Sequence, residues 1–241
     1  MFRPLRGAKR LQRSTIVDLC LKIDIMARLP FITFEGSEGC GKSTQVQMLA
    51  THLEILGVPF LVTREPGGTA IGESIRELLQ FAPQSAGMTP ETELLLFEAS
   101  RSQLVREVIK PALESGQCVI ADRFFDSTTV YQGVARKLDR RIVRQMNAFA
   151  VADCVPDITF LLDVDLKTAR SRMQQPRRPD RMEQQSDEFY EKVRDGYQEL
   201  ARWQRDRIVM IEGWQSPDDV EKEIWDILLT RFPQLVSKSE I

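Results

Sequence analysis

Short apolar runs and longer amphipathic stretches alternate along this chain. The runs cover 31–34 (Phe-Ile-Thr-Phe), 58–63, 118–121, 158–162 and 208–211. Each has a strand's length and gives way to glycine or to polar and charged residues. Between them, apolar residues return every three or four positions, as Val46, Leu49, Leu53 and Leu56 do within 45–56. The same period predicts helices over 71–79, 91–109, 138–151, 166–173, 187–207 and 217–232, with 83–90 as a linker. Pro111 and Gly116 close the 91–109 helix, and the wholly apolar 118–121 run reads as an interior strand. Strand and helix alternate five times, which predicts an α/β fold with a five-stranded parallel sheet covered on both faces. Ligands in such folds sit at the C-terminal ends of the strands, so the polar loops after the first four strands should share one cleft.

The first of those loops carries the clearest chemistry. Gly36-Ser37-Glu38-Gly39-Cys40-Gly41-Lys42-Ser43-Thr44 reads G-x-x-x-x-G-K-S, set between a strand and a helix as a phosphate-binding P-loop must be. Its glycines let successive backbone N–H groups curl around a phosphate at the positive end of a helix dipole. Lys42 can reach the β- and γ-phosphates of a nucleoside triphosphate, and the Ser43 hydroxyl can ligate Mg²⁺. Asp122 closes the third strand, the setting of a carboxylate that holds Mg²⁺ directly or through water. Arg123 beside it can clamp a phosphate with two parallel hydrogen bonds. Arg170, Arg172, Arg177, Arg178 and Arg181 crowd into twelve residues broken by Pro176 and Pro179. Such a segment can act as a lid that neutralises charge on a phosphoryl group in transfer, with Arg170 the best-anchored candidate.

Composition narrows the field. The 241 residues suffice for one domain with a substantial core, and 42% apolar with 28% charged residues is ordinary for a globular protein. The net charge of −2 argues against a nucleic-acid binder, and no apolar run reaches the 18 or so residues of a membrane span. His52 is the only histidine, so histidine-based catalysis is not expected. The four cysteines are scattered without a C-x-x-C pair, which suits reduced thiols in a cytoplasmic protein, with Cys118 and Cys154 in the core. The guanine signature N-K-x-D of a GTPase does not occur. Residues 1–28 are basic and then apolar, without the features of a secretory signal, and read as an extension, since Met26 could serve as a start. The kinase-like domain is expected over 29–232, its lid over about 166–186, and a tail over 233–241.

Several blocks in order resemble the thymidylate kinase family, in its bacterial subtype with an arginine-rich lid. They are 31–36 leading into the P-loop, Thr63-Arg64-Glu65-Pro66-Gly67-Gly68-Thr69, 95–101 (Leu-Leu-Phe-Glu-Ala-Ser-Arg), 122–133 from Asp122-Arg123 to Gly133, Pro156-Asp157 and Asp180-Arg181-Met182-Glu183. The resemblance implies a P-loop NTPase fold of the nucleoside-monophosphate-kinase kind and transfer of phosphate from ATP to dTMP by a homodimer. It also implies roles for residues. Phe97 stacks on thymine and Arg101 bonds its O4. Thr128 and Gln132 contact the base, Tyr131 excludes a ribose hydroxyl, and Glu38 approaches the 3′-hydroxyl. Arg76 and Arg123 hold the acceptor phosphate, while Glu65 and Asp122 organise Mg²⁺. Lys42 with Arg123, Arg170, Arg177 or Arg178 would stabilise the transferring group. The chain departs from the family's usual residues at Glu98 and Val130 and carries extra lid residues over 174–179. A deoxynucleoside kinase shares the loop and the acid–arginine pair, but the Arg76–Arg123 combination favours an acceptor that already bears a phosphate. A P-loop regulatory module without catalysis would not need the lid.

Overall fold

The computed structural model describes residues 28–173 and 181–236, so the segment before Arg28 and the lid residues Arg177 and Arg178 lie outside the described residues. The five expected strands form: β1 (Phe31–Glu35), β2 (Phe60–Arg64), β3 (Cys118–Asp122), β4 (Ile158–Asp163) and β5 (Ile208–Glu212). All pair in parallel, in the order β2-β3-β1-β4-β5. The helices are α1 (Lys42–Ile55), α2 (Ala70–Gln80), α3 (Pro90–Leu104), α4 (Lys110–Glu114), α5 (Phe125–Thr128), α6 (Arg140–Val151), α7 (Leu166–Arg172), α8 (Asp187–Trp203) and α9 (Pro217–Arg231).

Strand alternation divides the core. Ile32, Phe34, Ile120, Ile158, Phe160 and Leu162 point to one sheet face and pack on Val46, Leu49 and Leu53 of α1 and on Val220, Ile224 and Leu228 of α9. The other face carries Phe31, Val119 and Ala121 against Leu104, Val105, Ile109 and Leu113, and Leu161 and Ile208 against Val193, Tyr197 and Ala201 of α8. Each such fully buried side chain contributes roughly 1.5–3 kcal/mol. On this second face β1 also buries Thr33 and Glu35, so polar groups enter the core beside the cleft. Their partners are present: Thr33 bonds Thr159 at 2.7 Å, and Glu35 accepts from Ser127 and Tyr197, each at 2.7 Å.

The structure differs from the periodicity in a few places. The 91–109 helix runs as α3 to Leu104, then widens into a π-turn over Val105–Ile109 before α4. Pro111 sits in that region and has no N–H to give the ladder, and a π-turn is one way to absorb the missing bond. A second π-turn, Thr129–Ala135, follows α5 in a stretch the pattern left unassigned. The last long helix stops at Trp203 rather than 207, because Gln204–Arg207 turn into β5. The region expected as a tail begins with a 3₁₀ turn, Pro233–Leu235, and Leu235 is buried in the core, so the packed body extends beyond residue 232. Arg28, at the edge of the expected extension, bonds both oxygens of Asp157.

Candidate active site

The loop after β1 folds around its glycines. Gly36 has φ 136°, and a Cβ there would stand 2.6 Å from the Leu162 carbonyl; Gly39 has φ 75°, and its Cβ would stand 2.4 Å from that of Ala169. No side chain fits at either position. Most longer helices here are closed by a side chain, such as Thr69, Asp165 or Ser186. α1 is not: its cap is Gly41, without a side-chain bond, so its first N–H groups remain open to an anion. Lys42 folds back over the loop, donating to the carbonyls of Ser37 (2.8 Å) and Gly36 (3.2 Å). Ser43 donates to Asp122 at 2.7 Å, joining the first turn of α1 to the end of β3. Two oxygen donors at that distance, open to further oxygens from phosphate and water, suit a hard cation such as Mg²⁺.

A cleft of about 390 Å³ opens from this point over the strand ends. Glu38, Gly39, Lys42, Ser43, Glu65, Arg76, Phe97, Asp122, Arg123, Thr128, Tyr131 and Gln132 all line it, so one space unites most of the residues singled out in the sequence. Arg123 is held in the left-handed region at φ 71° and is buttressed on every side. It donates to the Gly36 carbonyl (2.9 Å), Ser127 Oγ (3.2 Å) and Glu38 (2.9 Å), with its guanidinium 5.3 Å from the Tyr131 ring centre. Glu38 also accepts from the Tyr131 hydroxyl at 2.8 Å. Burial favours the neutral acid, but Arg123 and then Lys42 outweigh it and hold the Glu38 carboxyl below its ordinary value. Behind Arg123, buried Glu35 accepts from the backbone N–H of Phe124 (2.8 Å) and from Ser127 and Tyr197 (each 2.7 Å), fixing the turn that presents the arginine.

The far wall is organised by Glu93, which is 1% exposed. It accepts from Gln132 Nε2 at 2.7 Å and pairs with Arg136 and Arg181. Burial raises its pKa, but Arg136, Gln132 and Arg181 hold it below its ordinary value. A carboxylate only accepts, so the Gln132 amide is oriented with its oxygen away from Glu93. Thr128 Oγ1 and Gln80 Oε1 belong to lining residues and are buried without a hydrogen-bond partner. Unpaired buried polar atoms are costly, and a bound polar ligand would satisfy them.

Not every expected residue reaches the cleft surface. Arg101 is 1% exposed and lies behind the wall. Its Nε and Nη2 donate to Glu65 and its Nη1 to Asn147, and Nη1 also forms an ion pair with Glu98 at 3.0 Å. Glu65 lines the cleft, yet both its oxygens face Arg101. Burial raises its pKa to about 7 against the pull of Arg101, with Glu98 and Glu35 adding to the rise. Arg76 lines the cleft and donates to the Pro66 carbonyl at 3.0 Å. Arg170 turns the other way, to Asp187 (2.9 Å), the carbonyls of Gln185 and Glu183, and the Tyr190 ring. Arg172 lines the cleft instead and is anchored on the Gly213 carbonyl at 2.8 Å. Residues two apart on a helix face opposite sides, which was the available signal that the two arginines do different things. Glu93 and Tyr197 carried no motif, and Ser127 lay within the 122–133 block without a role of its own.

A triphosphate cradle opening onto an arginine-lined half with room for a second ligand is what a phosphoryl-transfer enzyme requires, and the sheet is that of the P-loop kinases. The family model "Thymidylate kinase" matches residues 34–224. A thymidylate kinase of Fervidobacterium nodosum is 45% identical over 194 residues, which are 80% of this chain and 95% of that protein. One of Geobacter sulfurreducens is 45% identical over 210 residues, 85% of this chain and 98% of that protein. The crystal structure of thymidylate kinase from Ehrlichia chaffeensis superposes with a TM-score of 0.68 at 38% identity, covering 83% of this chain and 98% of its own. The chain belongs to the thymidylate kinase family.

Proposed function

We propose that this protein transfers the γ-phosphoryl group of ATP to dTMP, giving ADP and dTDP for dTTP synthesis. The observation that carries the reading is that Lys42, Ser43 and Asp122 share one cleft with Phe97, Thr128 and Gln132 and with Arg76 and Arg123. The triphosphate takes the open N–H groups of the 36–44 loop. Ser43 and Asp122 would hold Mg²⁺, which would offset phosphate charge. Glu65 joins that site through water in this reading. Arg76 and Arg123 take the acceptor phosphate and set it in line with the γ-phosphorus, so positioning and charge neutralisation supply the catalysis. Gln132, pinned by Glu93, offers its amide oxygen to the N3–H of thymine, and Thr128 completes the edge. Arg101, enclosed by Glu65, Glu98 and Asn147, braces the wall behind the base rather than touching it. Tyr131, tied to Glu38, fills the space of a 2′-hydroxyl, and Glu38 meets the 3′-hydroxyl. The cation over the transferring group comes from Arg172, Arg177 or Arg178, with Arg170 bracing the base of the lid.

The same reading includes a homodimer in the cytoplasm. Among the described residues no helix is long and apolar enough to cross a membrane. Ile71 on α2, Leu95 on α3, and Ile142 and Phe149 on α6 are exposed large apolar residues on mutually packed helices, a face suited to a second copy. The test is an ADP-release assay over all nucleoside monophosphates and thymidine, with sedimentation of the same sample. Turnover on dTMP far above the rest supports the reading; turnover on thymidine with none on dTMP would make the protein a nucleoside kinase.

A further inference from the structure

A second recess, of about 220 Å³, adjoins the P-loop. Gly41 and Thr44 of the loop, Arg172, Gly213, Gln215, Pro217 and Gln45 line it. The cleft residues Lys42, Ser43 and Asp122 mark where the γ-phosphate must lie, so the rest of the donor leaves the loop past Gly41 and Thr44, toward this recess. Smaller than the roughly 300–1,000 Å³ that takes a whole drug-sized ligand, it suits a base whose sugar and phosphates lie outside.

Gln45 is 4% exposed. Its Nε2 donates to the Pro217 carbonyl at 2.9 Å, and its Oε1 is buried with no hydrogen-bond partner. The orientation is not interchangeable, because a carbonyl only accepts and therefore selects the nitrogen end of the amide. The recess is thus lined by a residue that carries a fixed, unsatisfied acceptor. We infer that Gln45 is a specificity-determining residue for the phosphoryl donor, accepting a hydrogen bond from the 6-amino group of adenine and so disfavouring 6-oxo purines. Guanine would set its O6 acceptor against Oε1, leaving both unpaired, which is the arrangement that discriminates most strongly in a partly dry site. This rests on ATP being the donor.

The test compares equilibrium binding of MgATP, of the triphosphate of purine riboside (hydrogen in place of the 6-amino group) and of GTP, by calorimetry without dTMP. Wild type should bind ATP about tenfold more tightly than the 6-hydrogen analogue, and GTP more weakly still. Gln45→Met keeps the length and removes the acceptor, and it should bind ATP and the analogue alike. Thermal melts of Gln45→Met beside wild type show that the variant is folded before its binding is read, and the wild-type comparison stands whether or not it folds. Equal binding of ATP and the analogue by wild type overturns the inference, as does full discrimination by a folded Gln45→Met. Because these arms omit dTMP, a failure to phosphorylate dTMP would remove the acceptor assignment while leaving this comparison intact.

Discussion

Removing the Arg123 guanidinium should cost folding stability as well as activity, and the two can be separated. Arg123 and Glu38 pair at 2.9 Å with both side chains 16% exposed. Deleting one member of a buried pair typically costs 3–5 kcal/mol, because the remaining charge loses its partner. Glu38 would keep the Tyr131 hydroxyl at 2.8 Å and the field of Lys42, so Arg123→Ala should fall below that range, at about 2–3 kcal/mol. For a domain of this size that is a loss of roughly 4–12 °C in melting temperature. If the cost is uncompensated charge on Glu38, then Glu38→Gln should relieve it. Urea titrations at pH 7 of wild type, Arg123→Ala, Glu38→Gln and the double variant form a cycle that isolates the pair. A coupling energy of about 1.5 kcal/mol or more is expected. Additivity within about 0.5 kcal/mol would show that Arg123 contributes to the fold through its carbonyl and hydroxyl contacts, and that the charge argument is wrong.

Four further outcomes are expected. Lys42→Ala should lower kcat roughly a thousandfold or more, since the ammonium nearest the γ-phosphate is lost; retention of a tenth of wild-type kcat would refute the P-loop assignment. Tyr131→Phe keeps the ring and should keep the preference for the deoxy sugar, whereas Tyr131→Ala should relax it, and undiminished rejection of ribo-TMP by the alanine variant would place selectivity elsewhere. In single-turnover kinetics at saturating substrates, Arg172→Ala should fall a hundredfold or more while Arg170→Ala changes less, as their contacts suggest; the reverse order would mean that α7 turns over in the closed state. The Glu38 carboxyl is depressed below its ordinary 4.5, so its contribution to stability is full above that pH and is lost as pH falls through the lower folded value. Acid titrations of stability should therefore be less steep below about pH 4.5 for Glu38→Gln than for wild type, and parallel curves would contradict the shift.

The P-loop, the carboxylate at the end of β3 and the parallel sheet were all legible in the chain, because each is a local matter. Glycines, a lysine and a hydroxyl at fixed spacing, or an apolar run followed by Asp122, act on their neighbours within a turn or a strand. Periodicity states which face of an element is buried but not what it is buried against. The order β2-β3-β1-β4-β5, the meeting of Ser43 and Asp122 across 79 positions, and the orientation of Gln132 by Glu93 follow only from long-range packing. The π-turn at Thr129–Ala135, which carries Tyr131 and Gln132 into the cleft wall, likewise has no residue pattern of its own. The same limit separates the arginines. Composition marks a cluster, but α7 sends Arg170 to Asp187 and Arg172 to the cleft, and Arg101 is enclosed by Glu65, Glu98 and Asn147. A guanidinium goes wherever the fold provides acceptors, and the fold provides them from elements far apart in sequence.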